Sequence, residues 1–531
     1  MQTDGPSARR ETRVRASSTP ARACSRVRAW WRRRLVAGRV WVLPVLVLAC
    51  LTLPHLDQGD WRGDQAWYAA IGVQAWRTGE LWTLWAWDGM RYFNKPPLVF
   101  WIHGFVLDRV YVTLAMARLP TVAAAALCAI GAVGVARELS GRRAGLLAGA
   151  ALVLTYEFFR RTREVSLDMW QTAFLLLAAW LVARGVRTGR ARWVIACGLP
   201  VGLALMTKPL VGLLAIPILA AWAIFPGGTL VPPSRARVLA SFAGAIAVAM
   251  LIAAPWHLSM WQIHGNDFLA QYFGAEIASR AAGELDPTGA SVKPWWFYLY
   301  RLGAHGWPWT LFAALAIVSL WRAKSPGRHE PLIRLGLVWT VAWMVLLSLF
   351  AEKRDRYMLP VHAGVAWMSA AWLVRWGWAW LRPVERAMVR KGPAVLVIGA
   401  IVFAALPVRV QRPIAPEWAA LRAWLRNAPL VDPADPQAEG PVLFMGGLEA
   451  GDAARIYVWE NWWAAQPPGL EGAEPGGRVR EPRIGDFVLY ERNQGLAPGP
   501  GESVVLERDD VTVSRIDEFP WRPVWWMRSP D

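Results

Sequence analysis

The chain has 531 residues, 55% of them hydrophobic and 18% charged, with a mean hydropathy of +0.26. That balance excludes an ordinary soluble protein and points to one embedded in a membrane. The formal net charge of +19 suggests nucleic acid, but most arginines lie in an N-terminal tail and in short loops between apolar runs. A polytopic membrane protein sets its orientation in this way.

Residues 1–38 are rich in Arg, Ala and Ser, lack apolar periodicity, and are read as a disordered basic cytoplasmic tail. A cleaved signal peptide is not expected, because the apolar core begins only near Val40 and no small-residue cleavage site follows. A transit peptide shares this composition and stays open. Apolar segments then fall at 40–56, 118–136, 144–159, 169–183, 193–206, 209–225, 238–258, 303–321, 335–351, 358–380 and 394–410, about eleven spans. As one helix, 193–225 would run about 50 Å, too long for a single crossing. The break is placed at Lys208-Pro209, with proline opening the second helix. Segment 96–110 is apolar but short, holds His103, Asp108 and Arg109, and reads as a juxtamembrane or re-entrant helix. The 36 tryptophans suit membrane–water interfaces. Cys24, Cys50, Cys128 and Cys197 show no metal or disulfide spacing and read as inert.

With the N-terminus inside, the loops at 137–143 and 184–192, the turn with Arg235 and Arg237, and the loops at 322–334 and 382–391 are short, basic and read as cytoplasmic. The same parity puts Asp64, Lys95, Asp168, Lys208, Glu276, Lys353, Arg354 and Arg356 on the outer face. Arg160, Arg161 and Arg163 also fall there, against the rule, which cations binding an anionic head group would explain, as would a different span count. After Val410, Pro, Gly and acids dominate. Short strands at 441–445 and 486–490 and a helix at 418–425 suggest a small extracytoplasmic α/β domain over 411–531.

Several outer-face residues suit chemistry, each with an ordinary alternative. Asp64 can serve as a general base or cap the helix read over 65–77. Asp168 opens a span, as an end cap or as an intramembrane functional group. Lys95 is fixed by the prolines after it, or snorkels. Lys208 lies between two apolar spans, where a phosphate or outer water would satisfy it. Lys353-Arg354-Asp355-Arg356-Tyr357 offers guanidinium forks for phosphate, whether of a substrate or of membrane lipids.

Their order carries more than any member. Asp64-x-x-x-Tyr68, Lys95-Pro96-Pro97-Leu98, Ala117-Arg118-Leu119-Pro120, Asp168-Met169, Thr207-Lys208-Pro209, Trp307-Pro308-Trp309-Thr310 and Lys353-Arg354-x-Arg356-Tyr357-x-Leu359-Pro360 follow one another. Over residues 40–380 the series resembles the GT-C glycosyltransferases that include bacterial lipid A aminoarabinose transferase and the protein O-mannosyltransferases. The resemblance implies an all-α polytopic fold of about 11–13 transmembrane helices over 39–410. It implies transfer of a sugar from a polyprenyl-phosphate donor to a lipid A-like or cell-envelope acceptor on the periplasmic face of the inner membrane. A protein hydroxyl is the alternative acceptor, and a lipid-linked transporter or non-catalytic scaffold the reading from another class. Asp64 and Asp168 match the catalytic loop acids. Lys95, Lys208, Lys353, Arg354, Arg356 and Tyr357 match positions near the donor phosphate. Glu276 and Arg280 match a Glu and an Arg of the large outer loop that orient acceptor or sugar. The chain departs from the family at Gln65, where Glu is usual, and at Asn94, where aminoarabinose transferases have Glu. Ala275 and Ile277 stand where His residues flank the loop Glu. The family's metal-associated positions are therefore not matched, which leaves a divalent metal and the exact substrate open, and no cofactor is assigned.

Overall fold

The computed structural model describes residues 41–377 except 60, 62–63, 87–90, 111–112, 209–210, 232, 284–291 and 323–326, with a few helical residues and five strands beyond. The tail 1–38 and the span at 394–410, apart from the helical residue Ile398, lie outside the described residues. Sixteen α-helices are described. Five run before and into the first turn of the bundle: α1 Trp41–Thr52, α2 Asp64–Thr78, α3 Leu98–Arg109, α4 Leu114–Ser140 and α5 Arg142–Val153. The middle holds α6 Tyr156–Arg161, α7 Leu167–Thr188, α8 Ala191–Ala196, α9 Gly198–Leu205, α10 Val211–Ile224 and α11 Arg235–Leu269. The last are α12 Arg280–Ala282, α13 Phe297–Gly306, α14 Trp309–Trp321, α15 Glu330–Leu349 and α16 Leu359–Trp372. A π-helical stretch, Ala270–Ser279, joins α11 to α12, and a 3-10 turn, Asp355–Met358, leads into α16.

Among the described residues, five helical stretches are long and apolar enough to cross a membrane, and four shorter apolar helices accompany them. The chain is a multi-pass membrane protein. The break in 193–225 falls where the sequence puts it: α8 and α9 end at Leu205, Lys208 occupies the turn, and α10 begins at Val211. Segment 96–110 is the short α3 rather than a span. Two expected spans divide instead. The 144–159 run breaks between α5 and α6, where Thr155 turns its hydroxyl to the Ala151 carbonyl at 2.8 Å. The 303–321 run breaks at Trp307-Pro308, between α13 and α14.

Local chemistry sets the helix starts that matter most. Thr113 caps α4 by accepting from the Met116 amide at 3.1 Å, and Ser166 caps α7 by accepting from the Met169 amide at 3.2 Å. Helices α2 and α3 meet almost backbone to backbone. A Cβ on Gly104 would lie 2.0 Å from the Gly72 carbonyl oxygen, so only glycine fits there. In lipid, where polar groups need internal partners, several tryptophans sit inside the bundle rather than in an interfacial belt. Trp222, Trp256, Trp339, Trp343 and Trp367 are fully buried. Trp339 donates to the Pro360 carbonyl at 2.8 Å, tying α15 to α16, and Trp256 donates to the Trp82 carbonyl at 3.0 Å.

Beyond the bundle, β1 Leu443–Gly446, β2 Ala464–Ala465, β3 Phe487–Glu491, β4 Glu502–Glu507 and β5 Val511–Ile516 form one sheet in the order β2-β1-β3-β5-β4. The β1–β2 and β1–β3 pairs are parallel, and the others antiparallel. Helical residues at 420–425 bury Leu421 and Leu425, which gives the α/β character read from the sequence. One apolar cluster runs from Leu421, Phe487 and Val513 to Ala66, Ala69 and Val73 of α2. Helix α2 thus packs on α3 and shares an apolar cluster with the sheet.

Candidate active site

A cavity of about 780 Å³ opens beside the first turns of α2 and α7. Asp64, Asp168, Lys95, Lys208, Arg354, Arg356 and Tyr357 all line it, although they come from five separate stretches of sequence. Its other wall is apolar, with Val211 and Leu214 from α10 and Leu346, Leu347 and Phe350 from the end of α15. The cavity therefore has a charged pole and an oily pole.

Arg356 joins the two acids. Its NH1 pairs with Asp64 Oδ2, and its Nε stands 3.4 Å from Asp168 Oδ2. Lys208 Nζ pairs with Asp168 Oδ1 and lies 4.5 Å from the centre of the Tyr357 ring. Tyr68, one helical turn after Asp64, donates its hydroxyl to Asp64 Oδ2 at 3.5 Å. Burial, and then the neighbouring Asp64 carboxylate, push the Tyr68 phenol well above its ordinary range, so it stays a donor. Asp64 lies within the first turn of α2 rather than before it, and its side chain is 41% exposed.

The backbone brings the loops together. The Leu98 amide, just past Lys95-Pro96-Pro97, donates to the Met206 carbonyl at 3.2 Å and sets Lys95 beside the turn that carries Lys208. Arg118, fully buried, donates to the carbonyls of Leu56 at 2.8 Å and Gln58 at 2.7 Å and to Gln65 Oε1 at 3.3 Å. It anchors the chain on both sides of Asp64. Gln65 is thus an acceptor for a positioning arginine. His103 bonds the Ala117 carbonyl through Nδ1 at 2.8 Å and accepts from Trp170 Nε1 at 3.3 Å. Burial brings His103 down to about 4, so its neutral ring is a spacer between α3, α4 and α7.

Two expectations need correction. Lys353 does not line the cavity. Its ammonium, 4% exposed as a residue, donates to the carbonyls of Lys293 at 3.1 Å and of Phe350. Backbone carbonyls already satisfy it, and burial lowers its pKa. Arg160, Arg161 and Arg163 are not arrayed for a head group. Arg160 bonds both oxygens of Glu157, and Arg161 bonds Glu157 at 2.6 Å and Glu164 at 2.7 Å. Arg163 donates to the carbonyls of Leu51, Pro54 and His55, and burial brings it down to about 10. Their partners belong to the protein itself.

Glu276 falls in the π-helical stretch and Arg280 opens α12, but their side chains lie outside the described residues. Neighbouring Ile277 lines the cavity. Gln171 is a lining residue that sequence reading missed. It is 2% exposed, and neither amide atom has a hydrogen-bond partner among the described residues. Its signal was its position, three residues after Asp168 on the same helical face. Among the described residues, no group of three or more His, Cys, Asp or Glu is placed to hold a metal ion.

Residues 94–261 match the family described as dolichyl-phosphate-mannose-protein mannosyltransferase. An undecaprenyl phosphate-alpha-4-amino-4-deoxy-L-arabinose arabinosyl transferase of Pseudomonas fluorescens is 29% identical over 63% of this chain and 60% of its own length. One of Pseudomonas paraeruginosa is 26% identical over 74% of each. The chain thus spans about 60% of the length of the first of these relatives. The structure of ArnT from Cupriavidus metallidurans bound to undecaprenyl phosphate superposes with a TM-score of 0.66 at 18% identity, over 90% of this chain and 97% of that one. The archaeal oligosaccharyltransferase AglB from Archaeoglobus fulgidus gives a TM-score of 0.54 at 13% identity, over 88% of this chain and 70% of that one.

Proposed function

We propose that this chain, which has the GT-C fold of the ArnT and protein O-mannosyltransferase type, is a glycosyltransferase that moves a sugar from a polyprenyl-phosphate donor to an acceptor hydroxyl or phosphate. The observation that carries this reading is the two-poled cavity. Three carboxylates, Asp64, Asp168 and Glu352, and four cations face an apolar wall within one space. A polyprenyl-phosphate sugar has the matching halves, an anionic phosphate and a hydrocarbon tail.

In this reading Lys95, Lys208, Arg354 and Arg356 grip the donor phosphate. The bond between the anomeric carbon and the phosphate oxygen breaks, the electron pair leaves with polyprenyl phosphate, and the cations stabilise the growing negative charge. The acceptor oxygen forms the new bond, and its proton passes to Asp64. Before donor arrives, Arg356 holds Asp64. A donor phosphate competes for that guanidinium and frees the carboxylate as the acceptor docks. Asp168, held by Lys208, orients the sugar or acceptor. Gln171 offers both an N–H donor and an oxygen acceptor to sugar hydroxyls. Glu276 and Arg280 are assigned to acceptor or sugar orientation, and Tyr357 to the phosphate pocket. Lys353 supports the loop that carries Arg354 and Arg356.

The names of the relatives favour an undecaprenyl-phosphate-linked amino sugar as donor, and the acceptor proposed with it is a lipid-borne envelope molecule on the periplasmic side of an inner membrane. The family matched over 94–261 favours a protein hydroxyl as the second reading. Residues 39–410 would form the transferase domain and 411–531 its extracytoplasmic companion. The test is to incubate purified protein with a panel of polyprenyl-phosphate sugars, with lipid A-type and peptide acceptors in separate arms, and follow release of polyprenyl phosphate. Release in one arm names the acceptor class. Neither release nor saturable binding of any donor would overturn the reading.

A further inference from the structure

At the opposite end of the bundle a second cavity, of about 540 Å³, opens among the ends of α4 and α7, the start of α5 and the loop before α15. Helix α7 has Asp168 in its first turn and Arg187 in its last. At 1.5 Å per residue its length sets the two sites about 30 Å apart, close to the thickness of a hydrocarbon core. Five guanidinium groups line the cavity: Arg137, Arg142, Arg184, Arg187 and Arg328. Glu138 is the one carboxylate among the described lining residues, and Arg187 already pairs with it.

Two of the other arginines are braced by aromatic rings. Arg137 lies 5.3 Å from the Trp41 ring centre, and Arg184 lies 4.1 Å from that of Trp193. The buried Arg184 Nε has no hydrogen-bond partner among the described residues. Gly141, at φ +89°, turns the chain between α4 and α5 so that Arg137 and Arg142 flank one opening, and a Cβ there would lie 3.4 Å from Arg328 NH2. The positive-inside rule asks for basic loops near a surface. It does not ask that guanidiniums from four segments converge on one concavity with a single engaged acid. Basic pockets between transmembrane helices bind anionic lipid head groups, and guanidinium forks match phosphate oxygens.

We propose that this cavity is a second binding site, for a phosphate-bearing anionic head group, on the membrane face opposite the donor cavity. Arg142 and Arg328 are exposed and lie outside the proposed catalytic machinery, so the full chain with Arg142→Glu and Arg328→Glu is the test variant. Wild type and variant, matched for thermal melting, are titrated in detergent with phosphatidylglycerol and with phosphatidylcholine, and bound lipid is counted by native mass spectrometry. The expected result is retention of phosphatidylglycerol over phosphatidylcholine by wild type, weakened at least tenfold in the variant. Inorganic pyrophosphate is added in a separate arm. Displacement of the lipid at equal concentration identifies a soluble phosphate ligand, and failure to displace it identifies a lipid. A charge-keeping variant, Arg142→Lys with Arg328→Lys, should retain intermediate binding. Equal retention by wild type and the Glu variant, or no preference for the anionic lipid, would overturn the site. None of these readings depends on transfer activity.

Discussion

Replacing Arg356 by Met removes the group that pairs with both Asp64 and Asp168 while keeping most of the side-chain volume. The charge pair at 3.4 Å is worth about 5 kcal/mol at an effective dielectric of roughly 20. Little of that appears as lost stability. Asp64 is 41% exposed and recovers water, while Asp168 keeps Lys208. A net loss of about 1–2 kcal/mol is expected, below the cost of stranding a fully buried charge. The larger effect is on turnover. If Arg356 holds the donor phosphate as charge grows on it, its loss costs about 3–4 kcal/mol of transition-state stabilisation. That is roughly a 10²–10³-fold fall in kcat. The assay is release of polyprenyl phosphate per folded molecule, with donor affinity measured separately. Arg356→Lys should fall between the two, because it restores charge but not the fork. A kcat within threefold of wild type for Arg356→Met would refute both the phosphate assignment and the idea that donor binding frees Asp64.

Other substitutions separate the cavity from its scaffold. Lys208→Met should weaken donor binding at least tenfold with folding preserved, whereas Lys353→Met should lower the melting temperature, because two buried carbonyls lose their donor. Gln171→Leu should leave stability unchanged or slightly raised, since an unpaired amide disappears, yet should cut transfer and blur discrimination among donor sugars in a competition assay. Gly104→Val should destabilise by about 1–3 kcal/mol, read by thermal melting, because α2 and α3 cannot separate without displacing Asp64. Burial pushes the Glu157 carboxyl up, but Arg161 and Arg160 outweigh it and hold the folded pKa below the ordinary value. Its stabilisation is therefore present above the ordinary carboxylate pKa and lost as pH falls through the lowered one. Glu157→Gln should remove that part of the acid-side decline in melting temperature.

The organisation of the site was legible because membrane topology is written in composition. Counting spans and basic loops put Asp64, Lys95, Asp168, Lys208 and Arg356 on one face, and the cavity gathers all five. Lys208-Pro209 marked its turn by chemistry, a charge and a helix opener between apolar runs. What sequence could not give was direction within a face. Lys353 and Arg354 are neighbours, yet one is consumed by carbonyls and the other faces the cavity. The partners of Arg160 and Arg161 were partly readable, since Glu157 lies three and four residues before them. The partners of Arg163 are carbonyls of the segment after α1, which no local pattern announces. Tryptophan followed its general preference for interfaces in the reading, but packing and carbonyl bonds draw Trp222, Trp339 and Trp367 inside. The short apolar runs at 441–445 and 486–490 located strands to within two residues, while their order in the sheet depends on long-range pairing.

The most direct test of the central claim is single-turnover transfer from a saturating polyprenyl-phosphate sugar by wild type and Asp64→Asn, with insertion, melting and donor binding matched. Removal of a general base costs about 10²–10⁴-fold. Donor binding at wild-type strength with the transfer step slowed by at least a hundredfold is the predicted result. Transfer at the wild-type rate by Asp64→Asn would contradict the assignment of this cavity as a glycosyltransferase site with Asp64 as its base.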